Sequence, residues 1–326
     1  MHLPAIIPSD RPVSTPPGSD DSRAPWRARR QAMEAQGRRF TRWGIRRRSA
    51  VSPIVDLAEP VLRLVGWHRQ GVRNALALGL TEIELFFADL PPAFDGYAIL
   101  HITDLHLRRL PRLIDRIIGH AGGLDVDLAV VTGDFQTRGW PSAADVATDV
   151  ARLVAALKTR DGVLGVLGNH DHHEIVEPLE AAGLRMLINE RIAVARGDGV
   201  ISVTGLDDVN RFYTPDAERV LRVRPAGEFS LALVHSAEMA DVAAAAGHAL
   251  YLSGHSHGGQ ICLPNGRPVF TAFDSHHQLA TGQWQWGSML GYTSRGAGVG
   301  QRARFNCPPE IALLRLRCEP VPVLPD

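Results

Sequence analysis

The run Ala98-Ile-Leu-His-Ile-Thr-Asp-Leu-His106 decides the fold. Its first five residues are mostly apolar and read as a strand; an aspartate and a histidine, two positions apart, follow almost at once. The arrangement recurs along the chain. The apolar run 128–132 leads into Gly133–Asp134, and 163–167 into Gly168–Asn169–His170–Asp171. The run 230–234 precedes His235, and 249–252 precedes Gly254–His255–Ser256–His257. Helical stretches at 142–158, 175–182 and 238–246 fall between them, and the alternation predicts an α/β chain. In open α/β sheets ligands gather beyond the carboxyl ends of strands, which is where these polar clusters sit.

Each cluster contributes oxygen or imidazole nitrogen, and none contributes cysteine. Such donors suit Mn, Fe or Zn. In an extended segment residues i and i+2 point to one side, so Asp104 with His106, and His255 with His257, can each approach a cation together. Gly133, Gly168, Gly254, Gly258 and Gly259 let the backbone turn tightly and leave room for an ion. Taken singly, an aspartate after a strand is an N-cap and a GNHD stretch is a turn. A neutral core does not collect so many loops of charge and imidazole at its strand ends.

In chain order the clusters run DxH, GD, GNHD, H and GHxH. This order resembles the calcineurin-like metallophosphoesterase superfamily, over Asp104–His257. The segments ITDLHL (102–107), GHSHGGQICLP (254–264), TSRGAG (293–298) and PPEIALLRL (308–316) resemble one bacterial branch, which includes UDP-diacylglucosamine hydrolases and cell-envelope phosphatases. With them the likeness reaches from about residue 95 to 318. It implies a four-layer αββα sandwich of two mixed sheets. It also implies a hydrolase that uses two divalent metal ions, Mn, Fe or Zn, to activate a shared water against a phosphodiester, pyrophosphate or phosphomonoester. Carried over residue by residue, Asp104, His106 and His257 would hold the first metal. Asn169, His235 and His255 would hold the second, and Asp134 would bridge them. His170 would face the substrate, protonating the leaving oxygen or stabilising the equatorial ones.

Other positions are open at this level. Arg295 in TSRG either binds phosphate or forms a structural salt bridge. Asp171 orients His170 or caps the following helix. Thr137 stands where phosphoprotein phosphatases of the superfamily carry an aspartate that supports the catalytic histidine, which argues against a Ser/Thr protein phosphatase. Asp207–Asp208 resembles a GxDD segment of the branch and is given no catalytic role; His172, His173, His276 and His277 read as loop histidines. The branch implies a phosphorylated small molecule or a lipid-linked nucleotide such as UDP-diacylglucosamine as substrate. A nuclease-type phosphodiesterase and a catalytically silent scaffold are the competing readings, the second disfavoured by the complete ligand set.

The 326 residues carry no net charge, but the balance is uneven. Residues 1–50 hold eleven arginines against Asp10, Asp20, Asp21 and Glu34. Nucleic acid is not the expected partner, because this basic stretch lies outside the catalytic region and lacks an aromatic stacking pattern. Three parts are expected: a disordered Pro/Arg-rich tail (1–50), a helical extension (51–95) and the catalytic domain (96–326). In the extension, apolar residues from Ile54 to Phe87 sit against the core or form a peripheral membrane surface. The Arg38–Arg39–Phe40 stretch lacks the apolar segment an export signal needs, since Asp56, Glu59 and Arg63 interrupt the residues after it. No run of 18 apolar residues occurs. Cys262, Cys307 and Cys318 form no CxxC pair, which fits a reducing compartment. The expected location is the cytoplasm, with peripheral contact at the inner membrane face.

Overall fold

The structure, a computed structural model, describes residues 7–8, 22–46, 60–110 and 112–319. Most of the Pro-rich stretch 1–25, together with Ile54, Val55 and Leu57, lies outside them.

Two mixed sheets carry the architecture. The first runs in the order Arg185–Met186, Val163–Val166, Leu128–Thr132, Tyr97–Ile102, Glu310–Cys318, Gly79–Phe87. Its central strands from Val163–Val166 to Tyr97–Ile102 are parallel, and Glu310–Cys318 inserts antiparallel to Tyr97–Ile102. The second sheet runs Ile7–Pro8, Glu190–Arg196, Gly199–Gly205, Phe229–Leu233, Leu250–Ser253, Met289–Thr293, Gly282–Trp286. Its parallel centre is flanked by antiparallel strands.

The period of two along each strand assigns the layers. Tyr97 and Ile99, with Leu128 and Val130, face Leu231, Leu233, Leu250 and Leu252 of the other sheet. Leu100 and Ile102, with Ala129 and Val131, face helices Leu113–Ala121 and Ala143–Ala156 through Ile117, Val146 and Val150. On the outer side of the second sheet, Ala232 and Tyr251 meet Leu221 and Val242, of helices Pro215–Arg222 and Ala240–Ala245. Helix, sheet, sheet, helix is the four-layer sandwich anticipated. Because the central strands are buried on both faces, they read as continuous apolar runs.

Two expectations for the amino-terminal part are corrected. Residues 22–46, assigned to a disordered tail, include a helix, Ala24–Gln36, and a hairpin, Arg39–Thr41 with Gly44–Arg46. Pro25 starts the helix and Gly37 ends it in the left-handed conformation (φ 60°). Most arginines of this region are paired, because the fold brings acids to them. Arg23 meets Glu180 and Glu190 at 2.7 and 2.9 Å, Arg27 meets Glu177 at 2.8 Å, and Arg39 meets Asp274 at 2.9 Å. The extension 51–95 is not wholly helical either. Gly79–Phe87 is the edge strand of the first sheet, paired in parallel with Glu310–Cys318, and it buries Leu85 and Phe87 between the sheets. The apolar period there is two, not three or four, as a half-buried edge strand requires.

Candidate active site

The polar clusters stand on loops that leave the carboxyl ends of Tyr97–Ile102, Leu128–Thr132, Val163–Val166, Phe229–Leu233 and Leu250–Ser253. The first three strands belong to one sheet and the last two to the other, so the loops converge where the sheets meet. Asp104, His106 and His257 form one group whose ligand atoms all lie within 4.8 Å of one another; Asp134, His235 and His255 form a second. All six are buried. His257 Nε2 is 3.4 Å from Asp104 Oδ1 and 3.1 Å from His106 Nε2. Asp134 Oδ2 stands between the groups, 3.5 Å from His106 Nε2 and 3.3 Å from His235 Nε2. Asn169 joins the second group, with its Oδ1 3.1 Å from His235 Nε2.

This donor set fits a pair of cations. Two imidazole nitrogens facing each other beside carboxylates need a positive charge between them, and His255 Nε2 is buried with no hydrogen-bond partner. Burial penalises a protonated imidazole, holding His106 down at about 3 and His255 and His257 well below the ordinary histidine range. Their lone pairs are therefore free. Burial acts the same way on His235, but the Asp134 and Asp104 carboxylates outweigh it and push it up to about 10. Burial pushes Asp104 up to about 7.

The loops reach this arrangement by unusual backbone. Asp104, His106, Asp134, His255 and His257 all have positive φ, between 39° and 69°. A non-glycine residue held there costs on the order of 1–3 kcal/mol, strain that clusters at functional sites. The spacing argument assumed extended segments. Asp104 and His106 join one group as that argument expects, but His255 and His257 go to different groups, the division the resemblance implies. A Cβ on Gly254 would fall 2.3 Å from Asp104 Oδ2, and Gly133 (φ 91°) turns against the Gly168 backbone.

Several supporting contacts were not legible in sequence. Asp171 neither caps the next turn nor touches the His170 side chain. Its buried carboxylate accepts from the backbone N–H of Asp134 and Gly168 at 2.8 Å and of Gln136 at 2.9 Å, clamping two ligand loops together. His235 Nδ1 donates to the Thr132 carbonyl at 2.7 Å, which leaves Nε2 facing inward. Thr137 serves His106 and not His170, its Oγ1 lying 2.9 Å from His106 Nδ1. His170 is half-buried, donates its backbone N–H to Asp134 Oδ1 at 2.9 Å, and keeps Nδ1 without a partner. Its ring stands 5.1 Å from that of His106. Arg295 is engaged by the buried Glu310, with Nε–Oε2 at 2.9 Å, so the structural salt bridge is the arrangement present. His173, read as a loop histidine, meets Glu34 of the amino-terminal helix at 2.7 Å. Cys262 and Cys307 are buried but belong to neither ligand group.

A family model described as calcineurin-like phosphoesterase matches residues 97–259, the span that holds every one of these ligand loops. The chain belongs to the calcineurin-like phosphoesterase family. Family members and this chain alike are phosphoester hydrolases. The uncharacterized metallophosphoesterase YkuE of Bacillus subtilis is 32% identical over 247 residues, covering 73% of this chain and 85% of YkuE. Phosphodiesterase YaeI of Escherichia coli is 27% identical, covering 77% and 89%. UDP-2,3-diacylglucosamine pyrophosphatase LpxG of Chlamydia trachomatis is 26% identical, covering 81% and 96%.

Proposed function

We propose that this enzyme is a dinuclear phosphohydrolase in which Asp104, His106 and His257 hold one divalent cation, Asn169, His235 and His255 hold a second, and Asp134 touches both. The observation that carries this reading is the position of Asp134 Oδ2, within 3.5 Å of His106 on one side and 3.3 Å of His235 on the other. Mn, Fe and Zn all suit these donors. Bound there, the cations supply Lewis acidity toward the phosphoryl oxygens and acidify water for attack. The rest falls to the chain. The Thr137 hydroxyl and the Thr132 carbonyl fix the His106 and His235 rings. Asp171 locks the Asp134 loop to the Asn169 loop. His170, half-buried and with its buried Nδ1 unpartnered, gives a proton to the leaving oxygen or hydrogen-bonds an equatorial one.

Within this chemistry the substrate is a phosphodiester or pyrophosphate, and a lipid-linked nucleotide of the UDP-diacylglucosamine kind is the specific candidate. Its support is the likeness to LpxG over most of both chains. Such a substrate is presented at a bilayer. The nuclease reading loses its motive, because arginines of the 23–46 stretch are matched by acids of the chain itself. The test is hydrolysis of bis-p-nitrophenyl phosphate, p-nitrophenyl phosphate and UDP-diacylglucosamine by metal-stripped protein with Mn, Zn or Fe restored. Metal-dependent release that disappears in Asp134→Ala and His257→Ala is expected. Full activity in both variants would overturn the site. Cleavage of the simple diester without cleavage of the lipid-linked nucleotide would remove that substrate alone.

A further inference from the structure

One face beside the site is both apolar and basic. Residues 60–64 are helical and lead through Trp67 into helix His68–Ala75. Leu64 is 87% exposed and Trp67 62%, with Val61 and Val65 also open to solvent. These are not isolated surface residues. The Trp67 ring lies 6.1 Å from that of Phe305, and Phe305 pairs with Ile261. Beyond Ile261 come Leu263, Val269 and Phe270, all exposed, with Val269 64% open. Soluble surfaces rarely gather this many large apolar side chains in one place without a binding partner.

The segments that carry them are basic. Residues 60–81, 260–273 and 299–309 contain no aspartate or glutamate. They present Arg63, Arg69, Arg73, Arg267 and Arg302, each exposed. Apolar side chains ringed by arginines match the two layers of an anionic bilayer, where acyl chains lie beneath phosphate. The face adjoins the ligand loops. Arg304, next to Phe305, places a guanidinium nitrogen 3.4 Å from His257 Nδ1. A cavity of about 360 Å³ takes walls from both, Cys262 and Asn306 from the patch segments and Gly258 from the loop of His257.

We infer that the surface built from residues 61–70, 73, 263–270, 302 and 305 seats the enzyme on an anionic phospholipid membrane. Leu64, Trp67, Val269 and Phe270 enter the acyl boundary, and Arg69, Arg73 and Arg267 meet lipid phosphates. The placement deepens the proposed function and rests on it only for purpose, since it brings the ligand loops to the surface where a lipid-linked phosphoester is found. Binding itself needs no catalysis.

Co-sedimentation of the full chain with phosphatidylglycerol and with phosphatidylcholine vesicles tests it. Binding to phosphatidylglycerol is expected, weakening as salt rises from about 50 to 300 mM. Arg69→Glu with Arg73→Glu should cut it by at least about fivefold per arginine, and Leu64→Glu with Val269→Glu should abolish it. These residues lie outside the catalytic set, so all variants should cleave bis-p-nitrophenyl phosphate at the parent rate. Equal binding to both lipids, binding unmoved by either double variant, or capture of duplex DNA in place of vesicles would overturn the inference. Vesicle binding without any hydrolysis would overturn the catalytic reading and leave the surface standing. Hydrolysis without vesicle binding would do the reverse.

Discussion

Two arginine-rich stretches enter this protein from its amino-terminal side, and they meet opposite fates. In 23–46 most of the guanidinium groups meet acids from elsewhere in the chain, and Arg30 turns fully inward. Arg30 is 1% exposed; it pairs with Asp207, stacks 3.5 Å over the Phe212 ring and donates to the carbonyls of Asp171 at 2.9 Å and Gly168 at 3.3 Å. Those carbonyls bracket Asn169 and His170. In 60–73 the arginines are exposed, have no acid within their own segment, and share a face with Leu64 and Trp67. Composition is alike in the two stretches, so composition does not tell a strap from a docking face. What separates them is how deeply folding buries the guanidinium groups, with Arg30 1% exposed and Arg69 and Arg73 open to solvent. The first stretch holds the loop of Asn169 and His170 from behind, and the second is the one inferred to meet a membrane.

The sharpest way to break this contrast is Arg30→Met. It leaves Asp207 buried and uncompensated, a change that costs about 3–5 kcal/mol. The denaturant midpoint should fall accordingly. The kcat toward a soluble diester should drop more than KM rises, with Arg30→Lys recovering part of both. If Arg30→Met unfolds where the parent does, the strap is no different from the patch.

A second effect concerns the seat of the hairpin. Glu238 accepts from Asn210 Nδ2 at 3.0 Å and from the Asp274 N–H at 2.7 Å, and Arg39 grips both of those residues. Burial pushes the Glu238 carboxyl up to about 7. A carboxyl raised in the folded state contributes stability below its unfolded value, about 4.3, and loses it as pH climbs through the folded one. The chain should therefore shed stability from this group between about pH 4.3 and 7. Glu238→Gln should flatten that slope in denaturant melts at successive pH values. An unchanged slope would show that the seat is not charge-sensitive.

Arg39→Ala removes a half-buried ion pair and should cost about 1.5 kcal/mol, read as a lower melting temperature. The smallest effect is expected in the other stretch. Arg69→Ala and Arg73→Ala should leave stability within about 0.5 kcal/mol of the parent, while vesicle binding weakens. A stability loss comparable to that of Arg39→Ala would mean that these arginines too are structural.

The legibility of the molecule divides along the same line. Strands 97–102, 128–132, 163–166, 229–233 and 250–253 could be read to within a residue or two, because burial on both faces makes each a continuous apolar run. The ligand loops were visible because their donors adjoin those runs. Gly79–Phe87 was harder, since its partner strand Glu310–Cys318 lies more than two hundred positions away and only that pairing makes it a strand. Asp171 was misread because a carboxylate that accepts backbone N–H groups from a different loop has the same local signature as a cap. Thr137 carried no signal for its bond to His106.

The sequence by itself determined that the chain is α/β, the order of the main strands and where the polar clusters follow them, since these are encoded in contiguous residues by hydrophobic period; the four-layer sandwich and the grouping of the donors were implied by the family resemblance. Only the tertiary structure decided that Arg30 is buried while Arg69 is not, and that Trp67 comes to lie against Phe305. Each of those depends on a partner far along the chain. The charge on a side chain is written in the sequence; its neutralisation is decided by the groups that folding brings alongside.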